Sequence, residues 1–251
     1  MHYYLTNIGK VRMHNEDAGG IFQNEALQYL TVVADGMGGH KAGDVASQLV
    51  VEWMENEWKS TKESLDRQGA ATWLTEVITK ANQHVYQKSI DNEALLGMGT
   101  TVVAVIYGED FISVANIGDS RCYLLHNGTI SQITEDHSLV NELVRSGQIS
   151  KEDADFHPRK NVLTKALGTE AILQPDIFEA SWKQDDQLLL CTDGLTNKLS
   201  DEELSRFLTD DKSNKEKAEM LIDTANERGG EDNITLVISS YETNKEGDTS
   251  C

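Results

Sequence analysis

The chain has 251 residues, with 42 acidic against 22 basic side chains and a formal charge of −20. That length supports one sizeable core, and the acidic balance argues against a nucleic-acid groove or an anionic membrane surface as a partner. No run approaches 18 apolar residues and MHYYLTNIGK lacks a signal-like apolar core, so a cytoplasmic protein with no membrane insertion is expected. Cys122, Cys191 and Cys251 stand at unrelated spacings and read as reduced thiols, not as disulfide or zinc partners.

In chain order, the first strand-like run is Tyr29 to Ala34. Val45, Ala46, Leu49, Val50, Trp53, Met54 and Trp58 then fall on one helical face and predict a helix from Ala42 to Trp58, with a second from Ala71 to Ser89. Strand patterns resume at Thr100 to Tyr107, Phe111 to Asn116, Arg121 to His126 and Thr129 to Ile133. Asn127-Gly128, between the last two, predicts a type I′ hairpin because both turn positions need positive φ. Residues 138–161 are less regular, with a short helix over Leu139 to Arg145. A strand at Gln187 to Cys191 precedes a helix announced by the capping-box spacing of Ser200-Asp201-Glu202-Glu203. A helix over Lys215 to Arg228 and a strand over Asn233 to Tyr241 follow. Strands that succeed one another without helices between them predict antiparallel sheet with helices packed outside, an α+β class. One domain over residues 1–241 and a short polar tail over 242–251 are expected.

An apolar run ending in aspartate recurs at distant places: Val32-Val33-Ala34-Asp35-Gly36, Ala115-Asn116-Ile117-Gly118-Asp119 and Leu189-Leu190-Cys191-Thr192-Asp193-Gly194. Glu231-Asp232-Asn233 opens the last strand in reversed order. A glycine after the aspartate is expected to let the chain turn sharply and to free its carbonyl for a ligand. Each copy alone fits a simple turn. If the four converge, hard carboxylate oxygens without histidine or cysteine partners suit Mg²⁺ or Mn²⁺. Two such ions about 3.5–4 Å apart activate a bridging water and neutralise charge on a phosphoryl group. Near the N-terminus, Arg12 offers a planar fork for phosphate and Glu16 a further acid, with a surface ion pair as the alternative for Arg12.

Eight segments in order, GKVRMHNED (Gly9 to Asp17), VVADGMGGHKAGDVAS (Val32 to Ser47), MGTT, ANIGDSR, ITEDHSLV, HPRKNVLTKALG, LLLCTDGL and EDNITLV, span about Thr6 to Ser239. With them the sequence resembles the type-2C metal-dependent Ser/Thr protein phosphatases in their compact bacterial form. The resemblance implies a four-layer α-β-β-α sandwich of two antiparallel sheets flanked by helices, with metals in a cleft at one end. By motif, Asp35 bridges two Mn²⁺ or Mg²⁺ ions and Asp193 and Asp232 complete the first. The Gly36 carbonyl binds the second, with Glu16 behind a water, and Asp119 joins Asp193 at a third, weaker ion. Arg12 grips the phosphate and residues 138–161 form a mobile flap.

Met37 stands where many eukaryotic members carry a general-acid histidine. The candidate donor here is His40, with a metal-bound water or unassisted departure as the alternatives. His137 and His157 match family positions and read as structural or flap histidines, Asn233 as a brace of the Asp232 loop, and Thr100 and Thr101 as a buried strand start.

The implied function is hydrolysis of phosphoserine and phosphothreonine in proteins by a metal-bridging water, reversing Ser/Thr kinase signalling. Phosphorylated proteins are the expected partners, a cognate kinase and its targets among them, and a monomer is expected. A catalytically silent phosphoprotein-binding module of the same fold is the alternative; loss of Asp35, Asp193 or Asp232 would mark it, and all three are present. A two-metal phosphodiesterase or nuclease would need a basic groove, against which the charge of −20 argues.

Overall fold

The computed structural model describes residues 1–38 and 42–241. In chain order they form β1 (His2–Asn7), β2 (Asp17–Gln23), β3 (Tyr29–Met37), α1 (Ala42–Lys59), α2 (Arg67–Asp91) and β4 (Gly99–Thr100). β5 (Val102–Tyr107), β6 (Phe111–Ile117), β7 (Arg121–His126), β8 (Thr129–Gln132), α3 (Leu139–Arg145) and α4 (Lys151–Asp155) follow. The last elements are β9 (Asp176–Ser181), β10 (Gln187–Cys191), α5 (Asp193–Thr196), α6 (Asp201–Thr209), α7 (Asn214–Glu227) and β11 (Ile234–Ser240).

The strands make two antiparallel sheets, one in the order β1-β11-β10-β7-β8 and the other β2-β3-β5-β6-β9, with β4 attached to β3. Their near-continuous apolar runs follow from burial on both faces. In β5, Val103, Val105 and Tyr107 point between the sheets, while Val102, Ala104 and Ile106 pack under α1 and α2. In β10, Leu188 and Leu190 face the other sheet, and Leu189 and Cys191 face the layer that holds α6 and α7. At about 1.5–3 kcal/mol for each large side chain fully buried, three such layers supply the main driving force for the fold. This is the expected α+β sandwich.

The hairpin at Asn127 and Gly128 has φ of 50° and 74°, as a type I′ turn requires. The Ser200 hydroxyl and the Glu203 side chain close the expected capping box on α6. β1, β2, β9, α4 and α5 carried no readable periodicity. β2 holds Gly19 and Gly20, where an added Cβ would stand 2.5 Å from the Val32 carbonyl oxygen and 2.4 Å from the Phe22 ring. β1 and β9 are partly exposed edge strands. Cys122 and Cys191 are free and buried, in different apolar layers, as reduced thiols; Cys251 lies outside the described residues. Within the expected flap, residues 138–161 fold as α3 and α4, each capped by a serine, Ser138 and Ser150. No helix among the described residues is long and apolar enough to cross a membrane.

Candidate active site

Antiparallel pairing carries the acids to one end. β2 enters at Asp17 directly opposite Asp35 of β3. Like charges facing one another across a ladder are destabilising unless something compensates them. Asp119 lies in the turn from β6 to β7, Asp193 opens α5 just after β10, and Asp232 precedes β11. Two acids thus come from one sheet, two from the other, and Asp119 from the turn that joins them.

Electrostatics give the same picture. Burial, then the neighbouring Asp17, Asp193, Asp119 and Asp232, raise the Asp35 carboxyl well above its ordinary range. Burial also pushes Asp17 and Asp119 up to about 7, and the charge of Asp193 raises both further. Asp193 is raised by burial and by Asp232, while hydrogen bonding to Asn197 and Asp35 holds it down. Glu16 is raised, by burial first and then by Asp44 and Asp232.

The backbone around these acids is tightly fixed. The Asp35 N–H donates to Thr101 Oγ1 at 2.9 Å, and its carbonyl accepts from Thr100 Oγ1 and the Thr101 N–H at 2.8 Å each. The two threonines therefore do more than start a strand: they clamp Asp35. Thr101 Oγ1 also meets Ser120 Oγ at 2.7 Å, linking the clamp to the Asp119 turn. Thr192 Oγ1 donates to Asp17 Oδ2 at 2.9 Å, tying the two sheets together beneath the cluster. Asn233 accepts the Glu16 N–H and donates to the carbonyls of Ile8 and His14, so it braces the N-terminal loop as well as the Asp232 loop.

The glycines after Asp35 and Asp193 serve a different purpose from the expected sharp turn. Neither has positive φ. A Cβ on Gly36 would lie 2.0 Å from the Gly43 carbonyl oxygen, and one on Gly194 would lie 2.0 Å from that of Asn233. Close backbone approach demands them. Gly118, before Asp119, is the turn glycine, with φ of 100°.

Arg12 stands beside the acids. Its Nη2 donates to Asp232 Oδ2 at 2.8 Å and its Nε to the Glu231 carbonyl at 3.3 Å, with about half the side chain exposed. Burial opposes its charge, but Asp232, Glu16 and Asp35 outweigh that and raise its pKa. The ion-pair alternative is thus realised with one of the candidate metal-binding acids, which keeps the guanidinium at the mouth. His40 lies outside the described residues, and Met37, at the alternative position, has no proton to give. His137 is structural: Nδ1 accepts the Gly118 N–H at 3.0 Å and Nε2 meets Asp176 Oδ2 at 3.0 Å. His157 Nδ1 accepts the Arg159 N–H within its own turn.

Sequence reading missed Asp17, although it ends the GKVRMHNED segment. The signal was its place opposite Asp35, which only strand register discloses. Asp17 Oδ1 and Asp193 Oδ1 are buried without a hydrogen-bond partner. Among the described residues no three or more histidine, cysteine and acidic side chains are drawn together closely enough to hold a metal ion as they stand. An open set of hard oxygens with two orphaned atoms suits Mg²⁺ or Mn²⁺, which take few protein ligands and keep waters.

A model of the family Protein phosphatase 2C matches residues 9–227. The serine/threonine phosphatase of Listeria monocytogenes serotype 4b is 46% identical over 244 residues, 97% of each chain. Among solved structures, the serine/threonine phosphatase from Staphylococcus aureus aligns with a TM-score of 0.92 at 38% identity, covering 96% of this chain and 95% of that one. The catalytic domain of the serine/threonine phosphatase PstP, in complex with two manganese ions, aligns with a TM-score of 0.84 at 32% identity, covering 95% and 96%. With the family model spanning most of the sequence and both sheets in place, this chain belongs to the protein phosphatase 2C family.

Proposed function

We propose that the acids at this end form the catalytic centre of a metal-dependent phosphatase acting on phosphoserine and phosphothreonine in proteins. The observation that carries the reading is Asp17 facing Asp35 in register, with Asp119, Asp193 and Asp232 raising or sharing that charge. Asp35, Asp193, Asp232 and the Gly36 carbonyl would hold two Mn²⁺ or Mg²⁺ ions, with Glu16 behind them and Asp119 and Asp193 at a third. When bound, such cations supply an activated water and neutralise charge on the transferring phosphoryl group.

The chain's own residues perform the rest. Thr100 and Thr101 hold Asp35 at a fixed height, and Thr192 holds Asp17, so the acids of the two sheets keep their spacing. Arg12, half exposed beside Asp232, offers its remaining N–H groups to phosphate oxygens. The substrates are phosphoproteins, with a cognate Ser/Thr kinase and its targets foremost, and the enzyme works in the cytoplasm as a monomer. The domain spans residues 1–241.

Purified protein tested on a phosphothreonine peptide and on nitrophenyl phosphate, with Mn²⁺, Mg²⁺, Ca²⁺ or chelator, checks this reading. Phosphate release from both substrates with Mn²⁺ or Mg²⁺, lost in chelator, is the expected result. Phosphopeptide binding without release under every condition would point to a silent module.

A further inference from the structure

The buried stripe of α2 is apolar at Leu74, Val77, Ile78, Ala81 and Val85, and among them sits a carboxamide, Asn82, 0% exposed. A buried amide needs partners at both ends. Asn82 finds them in a loop: Nδ2 donates to the Glu170 carbonyl at 2.9 Å, and Oδ1 accepts the Gly168 N–H at 2.7 Å. A leucine would fill nearly the same space without desolvating a polar group, so packing alone does not call for asparagine here.

That loop, residues 166–170, is wedged between α2 and β4. Gly168 has φ of 88°, and a Cβ on it would stand 2.4 Å from Val85 Cγ1, one turn along α2 from Asn82. On the other side, a Cβ on Gly99 would stand 2.8 Å from Thr169 Cγ2 and 3.0 Å from the Leu167 carbonyl oxygen. Thr100 and Leu167 exchange both backbone hydrogen bonds, at 2.9 and 2.8 Å, so the loop adds a further rung beside β4. The Thr100 side chain then turns to the acids, its Oγ1 donating to the Asp35 carbonyl at 2.8 Å. The peptide between Asp35 and Gly36 is thus bonded on both sides. Its oxygen accepts from Thr100 Oγ1 and the Thr101 N–H, and its N–H donates to the Glu16 carbonyl at 3.1 Å.

The same loop continues the chain that leaves residues 138–161. Where that segment begins and ends it is paired, the Leu139 N–H donating to the Val162 carbonyl at 2.8 Å and the Thr164 N–H to the His137 carbonyl at 2.9 Å. A displacement there would run directly into Leu167 and Thr100. The two bonds from Asn82 pin the loop to a long, well-packed helix just past that point.

We propose that Asn82 is a positioning residue for the cation centre, with Asp35 and the Gly36 carbonyl as cation ligands on the reading given above. By holding residues 166–170 against α2, it fixes Thr100 and, through the Thr100 hydroxyl, the peptide that joins the two ligands. Partners that orient a metal ligand without touching the metal commonly change metal affinity by about 10–100-fold when lost. Asn82 acts through intermediate groups and belongs at the low end of that range.

Asn82→Leu keeps the volume and removes both bonds; Asn82→Ala, which leaves room for a water, is the second variant. Leu74→Ala is the control, a fully buried residue two turns earlier on the same helix and in the same apolar layer. The first measurement is amide hydrogen exchange in chelator. In either Asn82 variant the Thr101 N–H should exchange about tenfold faster, beyond any change at Leu189 and Leu190 in the centre of the other sheet. Calorimetric titration should then find Mn²⁺ bound about tenfold more weakly than by the parent. Leu74→Ala should lower Tm and speed all these amides alike, with Mn²⁺ affinity within about twofold of the parent. Thr101 exchange that merely follows Leu189 and Leu190, Mn²⁺ affinity equal to the parent's in both Asn82 variants, or an equal loss of affinity in Leu74→Ala would each overturn the proposal. A parent that bound no Mn²⁺ would overturn it together with the metal-centre reading, whereas one that bound Mn²⁺ and hydrolysed nothing would overturn the phosphatase alone.

Discussion

Tyr29 and Asp35 belong to one strand and stand at opposite ends of the same sandwich. Around Tyr29 the rings and hydroxyls satisfy one another across the sheets. Around Asp35 the same two sheets bring acids together that raise one another's pKa and leave two buried oxygens without partners. Between them runs an unbroken apolar layer that includes Val33, Val105, Leu190 and Val237. The apolar layer between the ends, not the acids, supplies the packing that holds the two sheets together. The acids are a local cost carried by the core and offset by whatever cation they hold.

The strongest way to break that contrast is at Asp193 or Asp232. Substitution to asparagine keeps shape but removes charge, so hydrolysis of nitrophenyl phosphate should fall to background while circular dichroism stays unchanged. Arg12→Ala should be milder, because Arg12 meets phosphate without holding the cluster together. A charge-assisted contact worth about 1.5–3 kcal/mol corresponds to roughly ten- to a hundredfold in kcat/KM on a phosphopeptide, measured beside unchanged metal binding.

Thr101→Val probes the clamp itself. It leaves the Asp35 N–H without its acceptor, at about 1–3 kcal/mol, so Tm should fall by several degrees and turnover with it. Serine at the same position should restore most of both.

Acidity separates the ends more gently. Asp17 and Asp119 titrate at about 7 in the folded chain against an ordinary 3.8. Between those values the native state binds more protons than the unfolded one. Their contribution to stability is therefore full below about pH 4 and is lost as pH rises through about 7. In chelator, Asp17→Asn should melt higher than the parent at about pH 7.5, and thermal melting should show the gap shrinking towards about pH 5. Smallest of all should be the effect of Leu27→Gly on phosphatase activity, within about twofold of the parent, since Leu27 lies in the turn before Tyr29, which strand rise places about 20 Å from Asp35.

Much of this was legible in the residues. The runs at Arg121 to His126 and Gln187 to Cys191 match β7 and β10 to the residue, because burial on both faces writes a continuous apolar signal. The four aspartate motifs lie near enough to one another that Asp119, Asp193 and Asp232 all act on the Asp35 carboxyl. What could not be read was register. Asp17 acquires its meaning only from the strand opposite it, and the glycines after Asp35 and Asp193 only from backbones distant in sequence. Edge strands such as β1 and β9 escaped notice because half-exposed positions mix polar and apolar side chains without a period.

The most direct test of the central claim is calorimetric titration of the chain with Mn²⁺ at about pH 6.5, in two buffers of different ionisation enthalpy. If the raised carboxyls at the Asp35 end are cation ligands, binding should release protons, and Asp35→Asn should lose both the heat and the release. Tight Mn²⁺ binding in Asp35→Asn, or phosphate release by the parent undiminished in chelator, would contradict the account.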